Sequence, residues 1–174
     1  MTDTAREVFA RLEDMGIRCT WMEHEPVHTI EDCLENDAKL HAVTAKNYFL
    51  TTKNKKNFYL CLVRPEARFK TSDISRQVGS SRLSFAGEEP MERLLRVRPG
   101  AVSPMGLIFD EEKQVHLIVD SGLKSVEKIA FHPCDNTVTL AMDTPDFFGS
   151  FLPGIGREPI FVEIHDFMEE TAAE

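Results

Sequence analysis

The sequence is poor in the residue spacings that hold metals or run redox chemistry. Its four cysteines, Cys19, Cys33, Cys61 and Cys134, stand far apart with no CxxC among them. That excludes a zinc knuckle and a thioredoxin-like pair, and leaves small apolar residues of a reducing compartment. The six histidines are equally scattered. The close pair, His24 and His28, is split by Pro26, which removes the helical i, i+4 face that a metal would need, so no metal is expected. No apolar run approaches the roughly 18 residues of a membrane span, and "MTDTAREVFARLEDMG" is charged where a secretory signal would be apolar. The expectation is a soluble, cytoplasmic protein with no membrane partner. GxGxxG, the P-loop, GxSxG and HExxH are also missing, which removes the familiar nucleotide and hydrolase signatures. With 174 residues, no internal repeat and no linker, the chain reads as a single domain over 1–174.

Net charge is −9, which taken alone argues against a polyanionic partner. The distribution argues otherwise. Residues 1–45 hold 4 Lys/Arg against 10 Asp/Glu, residues 46–100 hold 12 against 5, and residues 101–174 hold 4 against 14. A middle third of +7 between flanks of −6 and −10 is either an ordinary solvated surface or one basic face offered to phosphates.

Periodicity supplies the elements. "TAREVFARLEDMG" reads as an amphipathic helix opened by a Thr4–Glu7 capping box and ended by Gly16. "IRCTWMEH" follows as a strand, and Thr29 caps a short helix over "TIEDCLEN". "KNYFLTTKNKKNFYLCLV" is a hairpin around a Lys/Asn turn. Two short helices with "RLSFA" between them lead to "RPGAVSPMG". Strands are then expected at "GLIFD", "VHLIVD", "KIAF", "NTVTLAM" and "EPIFVEI", with a helix at "TPDFFGSFLPGIG" and a fraying "EETAAE". This predicts an α/β (mixed α+β) fold: a central mixed, largely antiparallel sheet or partial barrel of about seven strands surrounded by short helices. Phe85, Phe109, Phe131, Phe147, Phe148 and Phe151 lie in apolar strands or on one helix face and read as core.

Pro99, Gly100, Pro104 and Gly106 fall within eight residues. Proline fixes φ and lacks a donor, while glycine reaches angles that other residues avoid, so they specify a shaped loop whose backbone groups are available to a ligand or simply make a tight crossover.

The order "HEPVHTIEDC", "AKNYFLTTKNKKNFYLCLV", "SSRLSFAGEEPMERLLRVRPGAVSPMGLIFD", "VHLIVDSGL", "KIAFHPCDNTVTLAM", "DFFGSFLPGIGREP" resembles the YbaK family and the insertion domain of bacterial prolyl-tRNA synthetase, above all the free-standing Ala-tRNA(Pro) deacylases. The likeness spans about residues 20–160. It implies trans-editing: hydrolysis of the ester of a mischarged tRNA(Pro), with the acceptor end as partner and prolyl-tRNA synthetase or an elongation factor as possible deliverer. A second site is physically necessary, because missing methylenes are worth only about 1–3 kcal/mol of discrimination in a pocket built for proline.

The resemblance assigns roles residue by residue. Gly100, Ala101, Val102, Ser103 and Pro104 match the family's GxxxP loop, which lines the aminoacyl pocket with backbone dipoles. Lys46 matches the lysine required for activity, a compact point charge for the phosphate near the terminal adenosine. Asn47 adds a directional hydrogen bond. His132 is placed at the site, although a lone histidine at a strand end is ordinarily structural; water is activated or positioned by the substrate's own ribose hydroxyl. Arg82 is the candidate reader of the acceptor stem, since arginine grips phosphate or a guanine edge bidentately. Lys53, Lys55 and Lys56 at the hairpin tip suit non-specific backbone contacts. Asp120 and Asp135 fit the rim or, more ordinarily, turns. No cofactor is implied, and a monomer is the default. Two alternatives stay open: a deacylase for Cys-tRNA(Pro) or another small amino acid, and a tRNA- or synthetase-binding module without hydrolysis.

Overall fold

The computed structural model describes residues 1–27 and 29–166; His28 of the histidine pair and the terminal "EETAAE" lie outside the described residues. Nine strands form two sheets among the described residues. The first has the order β1 (Thr20–Glu23), β8 (Val138–Asp143), β7 (Lys128–Phe131), β2 (Val43–Thr44). The second has β5 (Leu83–Phe85), β3 (Lys46–Thr52), β4 (Phe58–Val63), β6 (Val115–Asp120), β9 (Ile160–Val162). Both are mixed: β2 runs parallel to β7, and β4, β6 and β9 run parallel, while the remaining pairs are antiparallel. The α+β class expected from the sequence is what the chain adopts, with the strands divided between two sheets.

Side-chain alternation explains how the sheets meet. On the second sheet, Phe49, Leu60, Leu62, Leu117 and Val119 face a core shared with Ile129, Phe131, Leu140 and Met142 of the first. The alternate residues Leu50, Cys61, Val63 and Ile118 face the other way and pack on Ile74 of α3 (Thr71–Val78). The longer helices that flank the sheets are α1 (Asp3–Asp14), α2 (Ile30–Leu40), α3, and α4 (Glu88–Leu95). A further helical stretch over 144–154, containing a π-helical turn Phe147–Phe151, buries Phe147 and Phe151 completely.

Local expectations fare unevenly. Thr29 caps α2 through a full capping box with Asp32, and the Lys/Asn hairpin pairs Lys46 with Val63 through to Thr51 with Phe58. Helix α1 starts earlier than its Thr4–Glu7 motif suggests, because Thr2 accepts from Ala5 N and its own amide is tied to Asp135. "GLIFD" is not a strand. Pro104–Phe109 forms a 3-10 helix capped by the Ser103 hydroxyl, and Gly106 packs so tightly that a Cβ there would meet the Leu95 carbonyl oxygen at 2.6 Å.

One buried ion pair fixes the exit of that 3-10 helix. Asp110 accepts from the Val115 and Gln114 amides, while Arg157 donates to the Asp110 carboxylate (2.8 Å) and to the Val115 carbonyl (2.6 Å). Both side chains are almost wholly buried, so truncating one strands the other. Arg157→Ala is expected to lower the unfolding free energy by about 3–5 kcal/mol, measured as a fall in the urea midpoint with an unchanged m-value.

Candidate active site at the seam of the two sheets

The chain passes from one sheet to the other in a single residue. Thr44 ends β2 beside Ala130 of β7, Ala45 is buried, and Lys46 begins β3. Because β2 and β7 are parallel, Lys46 and His132, each two residues beyond a paired position, emerge at the same end of the structure. A cleft of about 190 Å³ opens there, lined by Cys33, Thr44, Ala45, Lys46, Asn47, Pro65, Gly100, Val102 and His132. Helix α2 anchors one wall: buried Asp37 accepts from both the amide and the hydroxyl of Thr44. Burial raises the Asp37 pKa, and the two bonds from Thr44 oppose that rise.

The cleft holds several polar groups with no partner. Lys46 makes no side-chain hydrogen bond or ion pair among the described residues. The Asn47 amide nitrogen donates to the Ala45 carbonyl at 3.0 Å, which fixes the orientation of the amide, and its Oδ1 is buried without a donor. In the loop, Ala101 N donates to Arg98 O and Met105 N to the Ser103 hydroxyl, whereas the amides of Gly100 and Val102 make no hydrogen bond among the described residues. Gly100 has φ +89°, a left-handed conformation that L side chains avoid. Of these groups the Asn47 Oδ1 is the buried one, and an unsatisfied buried acceptor costs about 1–3 kcal/mol, which marks it as a place for a ligand's donor.

His132 Nδ1 donates to the Val138 carbonyl at 2.8 Å, which sets the tautomer and leaves Nε2 with a lone pair. Burial, with His24 nearby (ring centroids 6.0 Å), pulls its pKa below the ordinary 6.5, against the Val138 bond and Asp135. His24 is itself engaged at both nitrogens, by Glu25 O and the Thr139 hydroxyl. Cys33 is a poor nucleophile here: burial, then Asp37 and Asp32, raise its thiol pKa.

Of the residues expected at the site, the structure brings Lys46, Asn47, Gly100, Val102 and His132 together. Ala101 does not line this cleft; it is buried and borders a separate cavity of about 660 Å³ with Arg96, Arg98 and Asn136. Ser103 and Pro104 are buried because they start the 3-10 helix. Arg82 is exposed just before β5. Lys53, Lys55 and Lys56 lie at the far end of the hairpin. Seven residues of strand at ~3.3 Å each put that end about 23 Å from Lys46. Asp120 is buried and binds Arg64 at 2.8 Å, and Asp135 accepts from Thr2 and Thr137; both are structural. Cys33, Thr44, Ala45 and Pro65 join the site without any sequence signal, since nothing local marks a residue that reaches a cleft only through sheet pairing.

The His132 environment has a measurable consequence. The fold favours the neutral ring, so it binds fewer protons there than the unfolded chain does. The associated stability is present above pH 6.5 and is lost as pH falls through the lowered folded-state pKa. Imidazole NMR is expected to show His132 mostly neutral at pH 6.5, with a midpoint at lower pH; a midpoint above 6.5 would contradict the geometry.

The chain matches the aminoacyl-tRNA editing domain family over residues 24–149. It is 32% identical over 144 residues to the prolyl-tRNA editing protein ProX of Acetoanaerobium sticklandii, covering 83% of this chain and 88% of that one. It is 34% identical over 160 residues to prolyl-tRNA synthetase associated domain-containing protein 1 of Mus musculus, covering 90% and 94%. A solved structure described as a proposed trans-editing enzyme for prolyl tRNA synthetase superposes with a TM-score of 0.73 at 17% identity, covering 95% of this chain and 99% of that one, a likeness of fold. No helix among the described residues is long and apolar enough to cross a membrane. On its sequence and its fold, the chain belongs to the aminoacyl-tRNA editing domain family, the aminoacyl-tRNA deacylases.

Proposed function

We propose that this chain hydrolyses the aminoacyl ester of Ala-tRNA(Pro) in trans, and that the seam cleft is where it does so. The observation that carries the reading is the pair of unpartnered loop amides, Gly100 and Val102, on the wall of a cleft that also holds the unpaired Lys46 ammonium. Ester hydrolysis proceeds by attack of water on the carbonyl carbon, and charge develops on the carbonyl oxygen. Two preorganised N–H donors are suited to that oxyanion and need no reorganisation during the reaction.

The other groups follow by chemistry. Lys46 takes the phosphate of the terminal nucleotide as a point charge. The Asn47 Oδ1 accepts from the α-ammonium of the aminoacyl group, which gives the buried acceptor its donor. His132 Nε2 accepts a hydrogen bond from water or from the terminal ribose hydroxyl; the attacking water gives up its proton to solvent as the C–O bond forms, and the departing ribose oxygen takes one up from solvent as the ester bond breaks. Held neutral, His132 orients rather than carries charge, so positioning contributes more than a strong base. Every group comes from one chain, so a monomer is sufficient.

Size supports a small amino acid. A cleft of about 190 Å³ lies below the ~300–1,000 Å³ of ordinary small-molecule sites. Its apolar walls, Cys33, Ala45, Pro65 and Val102, offer nothing to compensate the desolvation of a larger polar or charged side chain. Arg82 and the hairpin lysines are the cations that would meet an acceptor stem running along β3 away from the cleft.

Deacylation of Ala-, Cys-, Ser- and Pro-tRNA(Pro), corrected for spontaneous hydrolysis, tests the reading. Alanine is expected to leave fastest. Lys46→Ala should lower kcat/KM by about 10²–10³, the usual effect of removing one charge-stabilising contact, and Gly100→Ala, which keeps the amide but is strained at φ +89°, should lower it by displacing that donor. Preferred cysteine release would reassign the substrate; tRNA binding without hydrolysis of any ester would make the chain a binding module.

A further inference from the structure

Phe85 is 64% exposed, the most exposed large apolar side chain among the described residues. The sequence suggests core. It fails to be core because β5 is an edge strand three residues long, and Phe85, paired with Leu50, projects from the face of the second sheet that turns away from the shared core. It is not isolated. Tyr48 and Phe69 stack face to face with centroids 3.9 Å apart and planes 9° from parallel, and Phe85 leans against both at 6.1 and 6.2 Å.

The position of this group along β3 matters more than its composition. Lys46, Tyr48 and Leu50 share one face of the strand. Lys46 is in the cleft, Tyr48 is two residues on, and Phe85 lies opposite Leu50. Four residues of strand at ~3.3 Å each put Phe85 about 13 Å from Lys46. Arg82, which makes no hydrogen bond or ion pair among the described residues, lies three residues before Phe85, outside β5. The order along this face of the strand is therefore a cation at the cleft followed by aromatic rings. A polynucleotide alternates charge and flat apolar surface in the same way, and about 13 Å is a few nucleotides at ~3.4 Å per stacked step.

We infer that Phe85, backed by the Tyr48–Phe69 stack, is a platform on which an unpaired nucleobase of the tRNA 3′ end stacks while its terminal ester occupies the cleft. The inference rests on the proposed function for the position of the ester, and on the aromatic geometry for the platform. It adds a positioning site that reads no base identity, since every base presents a π-face. Its role is to fix how far the strand reaches into the cleft.

The test uses an uncharged acceptor minihelix of tRNA(Pro), intact or with an abasic site at each unpaired position upstream of the terminal adenosine, and anisotropy as the readout. Phe85→Ala is expected to weaken binding of the intact minihelix about tenfold, within the range of one lost stacking contact, and Phe85→Tyr to restore it. One abasic substitution should weaken the wild type equally and add nothing to Phe85→Ala, the signature of a direct pair. Equal affinity of wild type and Phe85→Ala would overturn the platform; Phe85-dependent self-association in its place would assign the patch to a second copy of the chain. Alanyl-ester hydrolysis is measured in parallel. Loss of stacking in a chain that hydrolyses no ester refutes the proposed function alone, and hydrolysis of Ala-tRNA(Pro) with a KM unaffected by Phe85→Ala refutes the platform alone.

Discussion

Two residues of parallel pairing, Val43 with Ile129 and Thr44 with Ala130, position everything that follows. They hold the chain in the first sheet up to Thr44, after which buried Ala45 delivers Lys46 into the second. Without that pairing the sheets would share a core but no seam. The strand ends carrying Lys46 and His132 would then have no reason to meet. Asp37 reinforces the junction from α2, and the Pro104–Phe109 3-10 helix, clamped by Arg157 and Asp110, sets the loop that supplies the third wall.

The electrostatics of the seam favour fixed dipoles over a reactive side chain. His132 is held neutral by burial, Cys33 is pushed away from its thiolate form, and the buried thiols of Cys61 and Cys134 are pushed up to about 12. What remains is a lysine, a fixed asparagine oxygen and two loop amides, all without partners among the described residues. Such a set stabilises charge that appears during a reaction, and suits a substrate that already carries an ionised phosphate and a hydroxyl beside its ester.

The sequence is most legible where the signals are short-range. The Thr29 cap, the Lys/Asn hairpin and the unusual backbone at Gly100 are each decided by residues within a few positions. The likeness of the Lys46 and Gly100 segments to a known family points to one site before any contact is visible. Illegible are the consequences of long-range pairing: the division into two sheets, Cys33 and Pro65 as walls, and Asp110 with Arg157, 47 residues away. "GLIFD" misleads because its apolar run matches a strand, while Pro104, the Ser103 cap and the close contact of Gly106 with Leu95 impose a 3-10 turn. Phe85 misleads similarly, since an alternating pattern cannot tell an edge strand's open face from a covered one.

The loop of Gly100 borders two cavities, and the proposed function puts the ester in the smaller one. A non-hydrolysable amide analogue of 3′-alanyl-adenosine monophosphate, titrated into isotope-labelled protein and followed by amide and imidazole chemical shifts, decides between them. The largest perturbations are expected at the Gly100 and Val102 amides and the His132 ring, with little change at Arg96. Perturbations centred on Arg96, Arg98 and Asn136, with Val102 and His132 silent, would place the substrate in the larger cavity and contradict the assignment of the seam.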